Sequence, residues 1–529
     1  MPVRAGRPRL LRSLGILGGV WLAASPAAAA GQTSARRQPA ALTPDPAGDG
    51  AAVRYDARPL RGGAELRVTA FLPPLGSSAL VLGEGYAPFV RDLRIDNGSG
   101  WKAASLEGDG LPAPSCASAT CRIEYRFLLD AAAEGRRRRG GAIGHSGAWL
   151  APPSVWLLRP REVPGETPFE LTVGPAGETR FVSGLARAGA GSGDSYRGAL
   201  ATLEDAPYSG LGRFEERRID VGGGTVDLAI APGARTLSSE AVAAWVERSA
   251  IAVSAYLGRM PVLRVLVIVL PGSGRRPVGY GSTMGNGGAS IMISLASSCS
   301  EGDLRSDWVL VHEMAHLALP NLQRRHRWIE EGLSTYVEPV MRARSGLAPA
   351  EEVWAGLVRG LPKGQPRPGD RGLDQTPSWG STYWGGALFW LLADLEIRGR
   401  SGNRLGLEHA LRGILDGGGS IEVSWDLARL LRAGDEATGL DVLRRLHGRM
   451  GGSPWGVEFG DLWRRLGVVR IGDAVRLEAD APLAAMRDAI TAPRLAPGAR
   501  PSAGGPSAWA REPRTRTTTA SPEPPRRRP

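Results

Sequence analysis

The chain has 529 residues, of which 42% are hydrophobic and 22% charged, enough for two or three domains and too apolar for disorder throughout. Its net charge of +12 sits at the ends: four arginines and no acid in residues 1–30 give +4, and eight arginines against Glu512 and Glu523 in residues 492–529 give +6, which leaves about +2 (12 − 4 − 6) for the body. A nucleic-acid binder gathers its excess on a folded face, so that class is set aside; the arginine content, with Lys102 and Lys363 the only lysines, reads as codon usage and not as chemistry.

Residues 1–30 have the pattern of a secretory signal peptide: a basic Met1–Arg12, an apolar Leu14–Ala24, and small residues from Ser25 to Ala30 for cleavage near Ala30. Pro26 and three glycines make this stretch too short and weak for a membrane span of ~20 residues, and no later stretch is apolar for that length. The expectation is an exported protein, periplasmic or secreted, with no transmembrane segment once the signal is cut. A linker, 31–50, follows. From 51 to 230 short alternating runs bounded by Gly or Pro (Glu65–Phe71, Arg122–Leu128, Phe169–Val173) predict an antiparallel, sandwich-like β domain. Within it Cys116 and Cys121 close a small loop that an oxidising compartment would favour as a disulfide, and Cys299 is left over. Arg136 to Arg139 read as a solvated loop. Val221 to Thr225 lack the Lys-Ser/Thr of a phosphate loop and read as a turn, and Asn97-Gly98-Ser99 is a sequon too short to carry weight.

The texture changes over 231–490. Glu240 to Leu257 has helical spacing, with Ser238 or Ser239 as cap and Pro261 as terminator; Val262–Leu270 is a buried strand. A Gly-rich stretch, Gly279–Gly288, leads into a second strand at Ile291–Leu295, and beyond Asp303 nearly everything to Ile490 is helical. The tail, 491–529, is rich in Pro, Arg, Ser and Thr and is expected to be disordered.

The chemistry concentrates in Ser306–Pro320, a helix apolar on all sides that still carries His312, Glu313 and His316. The two histidines are four apart, hence one turn apart on one face, where both imidazoles reach one metal ion at about 2.0–2.1 Å. Glu313 stands where a carboxylate can act as general base on water. Trp328-Ile-Glu-Glu-Gly332 opens a second helix after a turn at Pro320 and Asn321, and a Glu on it completes a His-His-Glu set with one position open, the pattern of a catalytic zinc. Glu330 and Glu331 are both candidates on spacing alone, with His326 a rival third ligand.

His312-Glu-Met-Ala-His316 followed by Trp328-Ile-Glu-Glu-Gly332 resembles the gluzincin metallopeptidases, the thermolysin-like superfamily, and within it the glycyl and membrane-alanyl aminopeptidases. The resemblance implies Glu331 as third ligand, one Zn2+ per chain, and Glu313 as general base. It also likens Tyr383-Trp-Gly-Gly to the start of the tyrosine-led helix of the glycyl aminopeptidases, which implies that Tyr383 stabilises an oxyanion. The implied architecture is α+β: an N-terminal antiparallel β domain, then a thermolysin-like catalytic domain with a small sheet and a mostly helical second half. The implied activity is an exported zinc metallopeptidase acting on a peptide or protein substrate. Two alternatives stand beside it, an inactive peptidase-fold binding protein of the envelope and a zinc hydrolase of a non-peptide bond. The chain departs from the pattern at Gly281-Ser-Thr-Met-Gly285-Asn, where Gly285 replaces the amine-binding Glu of the aminopeptidases, so endo- and exo-cleavage both stay open. The His316–Glu331 spacing is shorter than in the alanyl enzymes, with no peptide-binding domain detected after the catalytic one. The strand near Ile291 is expected along the cleft, pairing with a peptide. Glu338, on roughly the face of Glu331, reads equally as support for the ligands and as solvated surface.

Overall fold

A computed structural model describes residues 52–493 apart from 75, 136–139, 163–165 and 190–193. The signal pattern, the 31–50 linker, the Arg136–Arg139 run and the tail from 494 lie outside the described residues.

The first half is built on sheets whose strands alternate buried and exposed residues. In Val53–Leu60, for example, Val53, Tyr55 and Ala57 point inward and Arg54, Asp56 and Arg58 outward, the period-2 pattern of a sheet with one face buried. A seven-stranded sheet runs, in spatial order, Ser195–Ala199, Pro168–Val173, Val53–Leu60, Glu65–Leu72, Cys121–Leu128, Val90–Asp96, Lys102–Ala103. It is antiparallel except where Val53–Leu60 lies parallel to Pro168–Val173, with Val53 opposite Phe169. Sheets of three and four strands complete this half, and Cys116 and Cys121 are disulfide-bonded beside its core.

The second half opens on a five-stranded sheet: β1 (Glu215–Val221), β2 (Gly224–Ile230), β3 (Arg264–Gly272), β4 (Val278–Gly285) and β5 (Ala289–Ala296), in spatial order β1-β2-β3-β5-β4. β2, β3 and β5 are mutually parallel and the two edges run antiparallel to them. The turn expected at Val221–Thr225 is the β1–β2 hairpin, so this sheet takes in two strands from before residue 231. Helix α1 (Ser239–Leu257) starts where the Ser238 hydroxyl accepts the Ala241 N–H at 3.1 Å. It stops at Gly258, whose φ of 82° only glycine adopts cheaply, three residues ahead of Pro261.

The remainder is mainly helical, as expected, with one hairpin at Val468–Ile471 and Ala474–Leu477. The helices used below are α2 (Val309–Ala315), α3 (Arg327–Arg344), α4 (Gly386–Arg400), α5 (Leu407–Asp416), α6 (Val442–Met450) and α7 (Ala484–Thr491). One apolar core runs from Val226 to Ile490 and another from Val53 to Leu211; a small cluster with Leu150, Tyr208, Ile268 and Met292 packs both halves together. Arg264 ties them further, pairing with Asp227 at 2.6 Å while donating to the Ser183 and Leu185 carbonyls. Inside the helical half a fully buried ion network joins α3, α4 and α5: Arg344 to Glu408 (3.1 Å), Glu408 to Arg398 (3.1 Å) and Arg398 to Asp394 (2.8 Å). Arg344 also donates to the Ile490 and Ala489 carbonyls and so holds α7. Among the described residues no helix is long and apolar enough to cross a membrane.

Candidate functional site

Helix α2 starts at an acidic cap: the Asp307 carboxylate accepts the Val309 and Leu310 N–H groups at 3.0 and 3.1 Å and the Trp245 indole N–H at 3.1 Å. The helix holds His312 and tightens into a 3-10 turn at His316. The two imidazoles stand with centroids 5.1 Å apart and both Nε2 atoms 3.6 Å from Glu331 Oε2 on α3. Two donors bound tetrahedrally at 2.0–2.1 Å lie about 3.3 Å apart, so the three atoms frame a space that one ion fills with a small closure. The donor set, two neutral-capable imidazoles and a carboxylate, suits zinc.

Burial alone would raise the Glu331 carboxyl; His312, His316 and the Arg327 guanidinium overcome this and hold it far below the usual carboxylate range. Burial likewise pulls His316 down, while at His312 the hydrogen bond to Glu331 and the charge of Glu313 outweigh it and raise the imidazole. Between the two acidic candidates the geometry is unambiguous. Glu330 turns away to accept the Leu322 N–H at 2.9 Å, and its burial pushes it up to about 7. His326 is not near the trio: its Nδ1 pairs with Asp374 at 2.7 Å. Asp374 also receives His447 Nε2 at 2.9 Å and the Trp328 indole N–H at 2.8 Å, a second His-Asp-His group at hydrogen-bond separations. Glu338 is buried against Arg342 (3.3 Å), raised to about 7 by that burial, so it is not solvated surface.

Glu313 lies beside β4. The Thr283 hydroxyl sits 2.7 Å from its Oε2 and 2.9 Å from its main-chain carbonyl. A Cβ on Gly281 would stand 2.6 Å from both Cγ and Oε1 of Glu313, so the carboxylate takes its place because that residue has no side chain. Arg327, one turn before Glu331, clamps its other oxygen with Nη2 at 2.7 Å and Nε at 3.2 Å. Thr283 and Gly281 carry no recognisable signal in a Gly-rich stretch, and Arg327 is visible only as an i,i+4 partner of Glu331.

Tyr383 lies on a π-helical turn, Gly380–Gly385, leading into α4, not on a regular helix start. Its segment is pressed onto α3 where Gly332 meets Gly386: a Cβ on either would collide with backbone, Gly386 Cα in one case and the Trp328 carbonyl in the other. Tyr383, Glu313, His312, His316 and Glu331 line one cleft of about 1570 Å³. β4 lines this cleft through Gly279, Tyr280, Gly281 and Thr283; the Ile291 strand is β5, which reaches the cleft at Ser294, Leu295 and Ala296 but is enclosed between β3 and β4. The expectation that the Ile291 strand pairs with a peptide is thereby corrected: a continuous Ile-Met-Ile run marks an interior strand covered on both faces, whereas the glycine-rich strand forms the edge. At Gly285 a Cβ would lie 2.5 Å from the Ile421 carbonyl, so that position admits no side chain as packed.

The sequence matches no protein-family model and no curated protein. Solved structures do match. An aminopeptidase N family protein from Idiomarina loihiensis superposes with a TM-score of 0.59 at 13% identity over 79% of this chain and 78% of that one. An M1 zinc metallopeptidase from Deinococcus radiodurans gives 0.48 at 17% identity over 77% of this chain and 96% of that one. The chain shares the fold of that aminopeptidase N family protein, an N-terminal β region followed by a mostly helical half.

Proposed function

We propose that the chain is an exported, zinc-dependent peptidase in which His312, His316 and Glu331 hold the metal. The observation that carries this reading is the convergence of both Nε2 atoms on Glu331 Oε2 at 3.6 Å, with Glu313 beside them on the wall of one cleft. Bound zinc supplies a Lewis acid and a water whose pKa is lowered to about 7. The chain's residues do the rest. With Thr283 on Oε2, Glu313 accepts the proton of the attacking water at Oε1 and passes it to the leaving nitrogen. The Tyr383 hydroxyl donates to the substrate carbonyl oxygen as charge develops there. The free edge of β4 pairs with an extended peptide backbone and lays it across the site. Export is supported by the signal pattern of residues 1–30 and by the Cys116–Cys121 disulfide, a bond that persists in oxidising compartments.

Mass-spectrometric metal counting and a peptide-library digest test this together. Wild-type protein is expected to carry about one zinc per chain and Glu331→Ala to lose most of it. Glu313→Gln is expected to keep the metal while turnover falls by about 10²–10⁴-fold. Undiminished hydrolysis in Glu313→Gln would remove it as the base, and folded protein without zinc would remove the whole reading.

A further inference from the structure

We propose that the cleft contains a carboxylate-binding subsite built on Lys363, so that preferred peptides present a carboxylate there, from an acidic side chain or a free C-terminus; this rests on the peptidase reading above. The charges of the cleft are unevenly committed. Each of its five carboxylates is engaged: Glu331 by the imidazoles and Arg327, Glu313 by Thr283, Glu330 by the Leu322 N–H, and Glu338 and Glu352 by Arg342 at 3.3 and 3.6 Å.

On the other side stand cations without a carboxylate partner among the described residues, Arg275, Arg276, Arg359 and Lys363, of which Lys363 is the one held between aromatic rings. It lines the cleft, and among the described residues no carboxylate pairs with it. Its Nζ stands 5.8 Å from the ring centroids of both Trp379 and Trp384. Two indole faces hold the ammonium in place, limit the rotamers open to its stem, and leave N–H donors for an anion. Trp379 in turn packs against Tyr383, ring centroids 6.0 Å apart, so an anion on Lys363 lies one aromatic side chain from the proposed oxyanion donor. Aromatic surface is exposed in the same cleft. Of the five large apolar side chains exposed among the described residues, Tyr280, Trp308 and Trp379 line this cleft. A fixed cation on an aromatic wall concentrates anionic ligands.

The test uses zinc-loaded full-length protein and four internally quenched peptides of one sequence, with Glu or Gln beside the scissile bond and a free or amidated C-terminus. Wild type is expected to show at least tenfold higher kcat/KM for carboxylate-bearing peptides, mainly through KM. Loss of the preference on amidation assigns the C-terminus as source, and loss on Glu to Gln assigns the side chain. Lys363→Met, which keeps the stem on the indoles, is expected to bring the favoured peptide down to the rate of the neutral one; Lys102→Met, in the N-terminal sheet, leaves all four rates unchanged. Equal rates for all four peptides in wild type, or a preference that survives Lys363→Met, would overturn the subsite. Calorimetric binding of the same peptides to Glu313→Gln separates the two readings. Lys363-dependent binding without cleavage by wild type sinks the peptidase and keeps the subsite, whereas cleavage without binding preference does the reverse.

Discussion

Glu313 owes its place to two neighbours that no spacing rule announces. Thr283 fixes one carboxylate oxygen, and the bare Cα of Gly281 makes room for the rest of the side chain. Gly281→Ala puts a methyl 2.6 Å from Cγ and Oε1, tighter than any relaxed contact, and the flexible carboxylate is what gives way. On the proposed mechanism the variant is expected to fold and to keep its metal while kcat falls by about 10–100-fold, since a general base must stay within hydrogen-bond reach of its proton. Steady-state kinetics beside a zinc count check it; full activity would mean that Glu313 can work from a second position. His312, Glu313 and His316 were legible in the sequence because they share one turn of one helix, where spacing alone decides their faces. Thr283 and Gly281 were not, since their role depends on which strand lies at the edge and on its register against β5.

At the level of elements, the head of α3 is pinned from outside the site. Asp374 gathers the Trp328 indole, His326 and His447, joining the start of the helix that carries Glu331 to α6 and to the segment leading towards Tyr383. The sequence marked His326 as a rival ligand, and what it could not show was a partner 48 residues away. Burial would raise the Asp374 carboxyl, but the three donors hold it well below the usual range. Asp374→Ala strands those donors and is expected to lower stability by about 2–4 kcal/mol, at about 1–3 kcal/mol for an unsatisfied buried group. A thermal melt reads the loss. Weaker zinc retention against a chelator, with α2 untouched, would show that the head of α3 sets the position of Glu331. The helix ends show the same division between local and distant causes. The Ser238 cap was readable, whereas the expected stop at Pro261 was pre-empted by Gly258, whose positive φ ends the helix first.

Across the whole molecule, one acid-sensitive part of the stability lies far from the cleft, in the network that unites α3, α4 and α5. Burial would raise Glu408, but Arg344 and Arg398 overcome it and lower the carboxyl to about 2. An unfolded glutamate titrates near 4.3, so as pH falls the unfolded chain takes the proton first. The stability from Glu408 is whole above about pH 4.5 and is lost progressively towards pH 2. Glu408→Gln leaves two buried guanidiniums short of their counter-charge and is expected to cost about 3–5 kcal/mol at neutral pH. Chemical denaturation at pH 7 and pH 3 should show the difference between variant and wild type shrinking with acid. An undiminished gap at pH 3 would place the acid-sensitive group elsewhere.

The meeting of Gly332 with Gly386 has a meaning for how such a site can change. One glycine follows Glu331, the proposed metal ligand, and the other stands three residues after Tyr383, and neither accepts so much as a methyl group. The gap between carboxylate and phenol is therefore gauged by the thickness of two backbones, a dimension that amino-acid replacement cannot adjust. Variation in what the chain accepts must fall on the softer furnishings of the cleft, the lysine and the aromatic rings, while the reacting centre keeps its span.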